Sequence, residues 1–191
     1  MKSIEEEFLT EVVGDKTKPT RKKSINSKQK GSRNERECKD ILNKRFEGVA
    51  VFSRTPMSGA YVGGENRAAK SFLTEAQKEM MTSDIFCNNP KFKFSIEHKA
   101  YSEGSFWDLF NESSNLFKWY EQSETDAKSI NKEPLLIVKY NNHKRIAFVN
   151  MSYMMKYPYL NKEKIVFIHK YKACLWLDDL LEAPDCFFFE G

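Results

Sequence analysis

Hydrophobic and polar residues alternate along residues 92–99, and this period of two predicts a β-strand with one buried face. Glu97 and Lys99 share the other, polar face. Just upstream, the short apolar run 84–87 ends in the turn formers of residues 88–90. The two runs therefore predict an antiparallel β-hairpin. The apolar face of its second strand carries Phe92, Phe94, Ile96 and His98.

The same kinds of pattern predict the other elements of the chain. Apolar residues at three- and four-residue spacing favour helices, and short apolar runs bounded by turn formers favour strands. Helices are predicted at 33–46, at 66–81 and, with an aromatic face or as a pair of turns, at 106–120. Strands are predicted at 49–52, 135–140, 145–149 and 165–168, and residues 175–181 are predicted to be helical at their end.

Length and composition predict one folded core with additional segments. The chain has 191 residues, 40% of them hydrophobic, which is enough for one core and not comfortably for two. No apolar run approaches the roughly 20 residues of a membrane helix, so we expect an intracellular protein without membrane partners. The predicted division is an N-terminal helix at 1–14, a basic flexible arm at 15–30, a core at 31–150 with an insertion at 59–81, and a C-terminal extension at 151–191 packed on the core.

Positive charge is concentrated near the N-terminus. Between Lys16 and Arg33 there are eight basic residues and no acidic one, while the whole chain has a net charge of only +4. A basic arm on an otherwise acidic chain favours binding to DNA or RNA, although a solubilising tail or a localisation signal has a similar composition. The predicted DNA contacts are Arg21, Lys22, Lys23, Lys28, Lys30, Ser32 and Arg33.

Two carboxylates and an amine converge in the predicted hairpin. If the turn centres near Pro90, Asp84 lies opposite Glu97, where cross-strand Cβ atoms are about 4.5–5.5 Å apart. A hard cation such as Mg²⁺ binds carboxylates at this spacing, and Lys99 would orient the attacking water. The alternative is a solvated strand face. Two further acid-x-Lys triplets, at 37–39 and 126–128, lie outside any alternating strand.

A wider set of residues resembles one superfamily of nucleases. The run 30–37 with its following helix, the strand ending at Arg54, Asp84, and the triplet 97–99 are similar in order to the PD-(D/E)XK nucleases, and most closely to the archaeal-type Holliday-junction resolvases. The resemblance covers about residues 30–150. It implies an α/β fold with a restriction-endonuclease-like core, in which helices flank a central mixed β-sheet in the order α-β-β-β-α-β.

The resemblance also implies an activity, a metal cofactor and a set of site residues. It implies a Mg²⁺-dependent endodeoxyribonuclease, with Mn²⁺ as a substitute, that cuts branched DNA as a homodimer in recombination or repair. Another nuclease of the superfamily, with nicking, flap-cutting or restriction-like activity, and a non-catalytic DNA-binding protein remain alternatives. The implied catalytic residues are Glu35, Arg54, Asp84, Glu97 and Lys99. The implied metal ligands are Asp84, Glu97 and the backbone carbonyl of His98, while Glu35 would hold a second metal or orient a water molecule.

Overall fold

The computed structural model of the chain describes residues 27–55, 73–158, 160 and 162–191. The predicted helix at 1–14, most of the arm and most of the insertion lie outside the described residues. Within the described part of the chain, no helix is both long and apolar enough to cross a bilayer.

The described elements alternate between helices and strands. The strands are β1 (Phe52–Arg54), β2 (Ile85–Cys87), β3 (Phe94–Tyr101), β4 (Glu133–Tyr140), β5 (Arg145–Asn150), β6 (Ile165–His169) and β7 (Lys172–Trp176). The helices are α1 (Ser27–Arg45), α2 (Glu75–Thr82), α3 (Asn115–Ser129), α4 (Met151–Met154), α5 (Leu177–Leu180) and α6 (Asp185–Phe188), with 3₁₀ turns at Phe106–Leu109 and Lys162–Lys164.

The strands form one mixed sheet in the order β1-β2-β3-β4-β5-β7-β6. β3 and β4 are parallel, and the other neighbouring pairs are antiparallel. A parallel pair requires a crossover connection, which α3 supplies. The elements α1-β1-β2-β3-α3-β4 confirm the predicted mixed sheet with flanking helices in the order α-β-β-β-α-β, with α2 inserted before β2.

Hydrophobic side chains cover both faces of the sheet. Leu135 and Ile137 of β4 belong to a cluster that includes Phe46, whereas Leu136 and Val138 belong to a second cluster that includes α3 residues. Because successive strand residues point to opposite faces, the two clusters lie on the two sides of the sheet. The central strands are therefore buried on both faces.

The boundaries differ from the predicted ones at several places. α1 begins at Ser27, so residues 27–30 of the predicted flexible arm are helical instead. β1 covers Phe52–Arg54 rather than residues 49–52. The extension from residue 151 adds β6 and β7 to the sheet, and β7 was not predicted. The C-terminal segment thus contributes to the same sheet as the candidate site.

Candidate active site

The β2–β3 hairpin places Asp84 beside Glu97, as the sequence predicts. Ile85 pairs with Ile96 in the antiparallel register. The preceding residue, Asp84, is therefore aligned with Glu97. The backbone N–H of Asp84 donates to the carbonyl of Ile96 at 2.9 Å. The Asp84 side chain accepts a hydrogen bond of 2.9 Å from the backbone N–H of His98. Both the main chain and the side chain of Asp84 are thus fixed against β3.

Glu97 is buried, so the alternative of a solvated strand face is wrong. The residue is only 7% exposed, because β3 is a central strand with helices over both faces. Its carboxylate contacts the ammonium group of Lys99. Burial, with a contribution from the Asp84 carboxylate, raises the pKa of Glu97 to about 7, although Lys99 opposes this shift.

Glu35 and Arg54 reach the same region from α1 and β1. Arg54 Nε lies 2.6 Å from Glu35 Oε2, and both side chains are mostly buried. Burial raises the pKa of Glu35, and the negative charge of Asp84 raises it further, while the Arg54 guanidinium lowers it. Lys99 also lowers the pKa of Glu35. Glu35 therefore lies within electrostatic reach of Asp84, Arg54 and Lys99, and Asp84 and Lys99 also act on Glu97.

Lys99 supplies a permanent positive charge to this cluster. Burial lowers the pKa of Lys99, but the adjacent Glu97 and Asp84 carboxylates outweigh this effect, so the pKa is raised above its ordinary value. The amine is therefore protonated at neutral pH. It can hold a negatively charged group or orient a water molecule next to the acids.

The His98 side chain lies on the opposite face of β3 from Glu97. It is 4% exposed, and neither ring nitrogen has a hydrogen-bond partner among the described residues. Burial lowers the pKa of His98 to about 4, so the ring is neutral at pH 7. This is the packed position expected from its alternation with Ile96. The contribution of His98 to the candidate site is its backbone.

Sequence reasoning missed one acid near the candidate site. The charge of Asp126, on α3, adds to the raised pKa of Glu97. The acid-x-Lys triplet 126–128 was visible in the sequence, but it lies on a helix, and only the packing of α3 over β3 brings it near the hairpin.

The predicted DNA contacts are only partly described. Arg21, Lys22 and Lys23 lie outside the described residues. Lys28, Lys30, Ser32 and Arg33 belong to the first half of α1, which leads directly to Glu35. Arg33 is highly exposed, and its Nε lies 3.0 Å from Glu37 Oε1. The basic residues that are described therefore adjoin the acidic cluster.

The donor chemistry of the cluster fits a hard divalent cation. Glu35, Asp84 and Glu97 offer the carboxylate oxygens that Mg²⁺ and Mn²⁺ prefer. Among the described residues, no group of three or more His, Cys, Asp and Glu side chains is assembled to hold a metal ion. Instead, Lys99 contacts Glu97 and Arg54 contacts Glu35. In the structure, Glu35 and Glu97 are therefore each neutralised by a cationic side chain of the protein itself.

Comparison with known proteins gives a family, a relative and a similar structure. The sequence model of the family described as "Phage putative PDDEXK endonuclease" matches residues 26–174. Protein D14 of Escherichia phage T5 is 30% identical over 118 residues, which is 61% of this chain and 66%, just under two thirds, of that protein. The Archaeoglobus fulgidus Holliday junction resolvase Hjc is similar over 78% of this chain and 90% of that chain, with 17% identity and a TM-score of 0.36.

The family match covers more than three quarters of the chain. It begins just before α1 and ends within β7, so it contains β1 to β6, part of β7 and all five candidate residues. The chain therefore belongs to this phage family of PDDEXK endonucleases and to the PD-(D/E)XK superfamily that its sequence resembles.

Proposed function

We propose that this chain is a divalent-metal-dependent DNA endonuclease whose active site comprises Glu35, Arg54, Asp84, Glu97 and Lys99. The mutual electrostatic effects of three acids, Glu35 on α1, Asp84 just before β2 and Glu97 on β3, carry this proposal. The Asp84 charge raises the pKa of both Glu35 and Glu97, so the acids repel one another. Buried groups with such perturbed pKa values are concentrated at functional sites.

The proposed metal is Mg²⁺, with Mn²⁺ as a substitute. Asp84, Glu97, the backbone carbonyl of His98 and Glu35 would hold it. When bound, such an ion polarises a phosphodiester and lowers the pKa of a bound water molecule. It would also neutralise the repulsion among the three acids.

The protein's own cations have complementary tasks. Lys99 remains protonated. Beside Glu97 and Asp84, it would orient the attacking water or a phosphate oxygen. Arg54 has a planar guanidinium group, which can bind two oxygens of a phosphate and stabilise the charge that develops during cleavage. The hydrogen bond from the His98 backbone holds Asp84 in place for this chemistry.

The direct test is cleavage of supercoiled plasmid DNA with Mg²⁺ by the wild-type chain and by Asp84→Asn. The variant is expected to bind DNA and to lose cleavage. Asp40→Asn is the matched control, since Asp40 is an exposed acid on α1 outside the cluster. Mg²⁺-dependent cleavage by Asp84→Asn at the rate of the control would contradict the assignment.

We further propose that the substrate is branched DNA and that the chain acts as a homodimer. The resemblance to the archaeal-type resolvases supports a four-way junction as the substrate, and a role in recombination or repair would follow. Paired cuts in a two-fold symmetric junction require two active sites, which a symmetric dimer provides. Cleavage of matched four-way junction, flap, nicked and linear DNA separates this substrate from the nicking, flap-cutting and restriction-like alternatives. Light scattering measures the mass of the particle in solution.

A DNA-binding protein without catalytic activity is the second candidate. The contact between Lys99 and Glu97 favours it, because a charge-neutralised pair is also what an inert sheet edge would contain. Calorimetric titration with Mg²⁺ or Mn²⁺ separates the two functions. A site-specific heat that Glu97→Gln removes supports the nuclease, and the absence of such heat supports the binding protein.

A further inference from the structure

The turn between β4 and β5 is rich in basic residues. Residues 139–145 contain no acid, and the turn itself, residues 141–144, is exposed. Asn142 adopts a left-handed conformation with φ of 61°, which asparagine tolerates better than most residues. A shallow concavity of about 440 Å³ at this turn is lined by Lys139, Asn142, His143, Lys144, Arg145 and Asp178.

This turn lies at the same end of the sheet as the candidate active site. In the parallel β3–β4 pair, Lys99 is aligned with Val138, and the following residue, Ala100, is aligned with Lys139. Neighbouring strands are separated by about 4.8 Å. The backbone of Lys139 therefore lies one strand away from the residue that follows Lys99.

A carboxylate joins the turn to α1. Glu37 Oε1 lies 3.0 Å from Arg33 Nε, and Glu37 Oε2 lies 2.9 Å from Arg145 Nη2. The hydrogen bond from Arg33, together with that from Arg145, holds the pKa of Glu37 below its ordinary value despite slight desolvation. Glu37 thus links the first half of α1 to the end of the β4–β5 turn.

Lys139, near the end of β4, and Lys144, in the turn, are not neutralised by acids of the described residues. In the described part of the chain, neither Lys139 nor Lys144 has a carboxylate within ion-pair distance. The Lys139 ammonium instead donates to the backbone carbonyl of His143, which draws it toward the turn. Arg145, in contrast, is mostly buried and already neutralised by Glu37.

We propose that the β4–β5 turn, through Lys139 and Lys144, is a second contact surface for the DNA backbone. It would hold phosphates beside the active site, next to those that the first half of α1 would hold. A duplex presents one negative charge per roughly 1.7 Å of its axis, so DNA bound at the acids offers phosphates to basic side chains on a neighbouring strand. The inference rests on the proposed function.

The binding test compares Lys139→Gln/Lys144→Gln with Lys44→Gln/Lys91→Gln. Lys44 and Lys91 are exposed and lie at the opposite end of the sheet, at the end of α1 and before β3. Anisotropy of fluorescein-labelled duplex in EDTA measures affinity without cleavage. We expect the turn variant to bind about tenfold more weakly at 0.1 M salt, with a salt dependence reduced by nearly two counterions, and the control to match wild type.

The exposed Lys144→Gln variant repeats the test with a single change that leaves the contact of Lys139 with His143 in place. If wild type binds and cleaves DNA while the turn variants bind like the control, this inference is wrong and the proposed function stands. If wild type neither binds nor cleaves DNA, both are wrong.

Photo-crosslinking locates the contact directly. Cys186 is an exposed thiol at the opposite end of the sheet, whereas Cys38, Cys87 and Cys174 are buried. Lys144→Cys/Cys186→Ser and the wild-type chain are each labelled with azidophenacyl bromide and irradiated with DNA. Strong crosslinking from position 144 and little from Cys186 is the expected result. Equal crosslinking from both positions would overturn the inference.

Discussion

The carboxylate of Asp84 accepts a 2.9 Å hydrogen bond from the backbone N–H of His98. In a regular antiparallel ladder a backbone carbonyl would occupy this acceptor position. Here an acidic side chain accepts the hydrogen bond instead, at the start of β2. The interaction fixes the acid beside Glu97, so the candidate metal ligand is positioned by the sheet itself.

Asp84→Asn and Asp84→Ala are expected to differ in stability and not in activity. Asparagine keeps an oxygen that can accept from the His98 N–H, whereas alanine leaves this N–H without a partner. We therefore expect the alanine variant to be less stable than the asparagine variant by about 1–3 kcal/mol. Both should cleave DNA at least about 100-fold more slowly than wild type, because both lose the carboxylate charge. Urea unfolding and cleavage time courses measure the two effects.

The raised pKa of Glu97 predicts that, without metal, the stability of the fold depends on pH. Burial raises its pKa to about 7, so the folded chain binds more protons than the unfolded chain between pH 4.5 and 7. The free energy of unfolding in EDTA should therefore fall as pH rises through this window, by up to about 3 kcal/mol from Glu97. Glu97→Gln should flatten this dependence. Urea unfolding at pH 5 and pH 8 measures it.

The control for this prediction is Glu121→Gln, at an exposed position on α3. It should keep the wild-type pH dependence. Addition of Mg²⁺ or Mn²⁺ at pH 8 should stabilise wild type and the control but not Glu97→Gln. An identical pH dependence in wild type and Glu97→Gln would show that this carboxyl does not titrate near neutrality.

The β2–β3 hairpin could be predicted from the sequence, but the elements that pack around it and bury Glu97 could not. A period of two and a cluster of turn formers are local signals, so Asp84 and Glu97 could be placed opposite each other. The burial of Glu97 depends on α3, which follows about twenty residues later and packs by tertiary contacts. β7 was missed because Lys172–Trp176 is buried on both faces between β5 and β6 and shows no alternation.

Arg54 is expected to act on cleavage more than on folding. Arg54→Ala should reduce the cleavage rate about 10²- to 10³-fold, in the range seen when one charge-stabilising donor is removed. Because Arg54 lowers the pKa of Glu35, its loss should also raise that pKa and shift the acidic limb of the rate profile upward. Arg54→Lys keeps the charge without the planar group and should recover only part of the rate. Rates measured across pH 5–9 test both effects, and a uniform decrease without a shift would contradict the role of Arg54 toward Glu35.

Phe46 is expected to hold α1 and β1 together by its packing in the core. It follows α1 directly and is fully buried, with its ring centroid 5.6 Å from that of Phe52 and 4.9 Å from that of Phe188. α1 carries Glu35, and β1, which begins at Phe52, carries Arg54.

Phe46→Ala should therefore lower the free energy of unfolding by about 3–5 kcal/mol, since it removes a large buried ring. Val49→Ala, at a position 44% exposed, should change it by less than about 0.5 kcal/mol. Phe46→Leu fills more of the space and should lie between the two. Urea unfolding measures all three variants. A loss below about 1 kcal/mol for Phe46→Ala would mean that the contact between α1 and β1 depends on other residues.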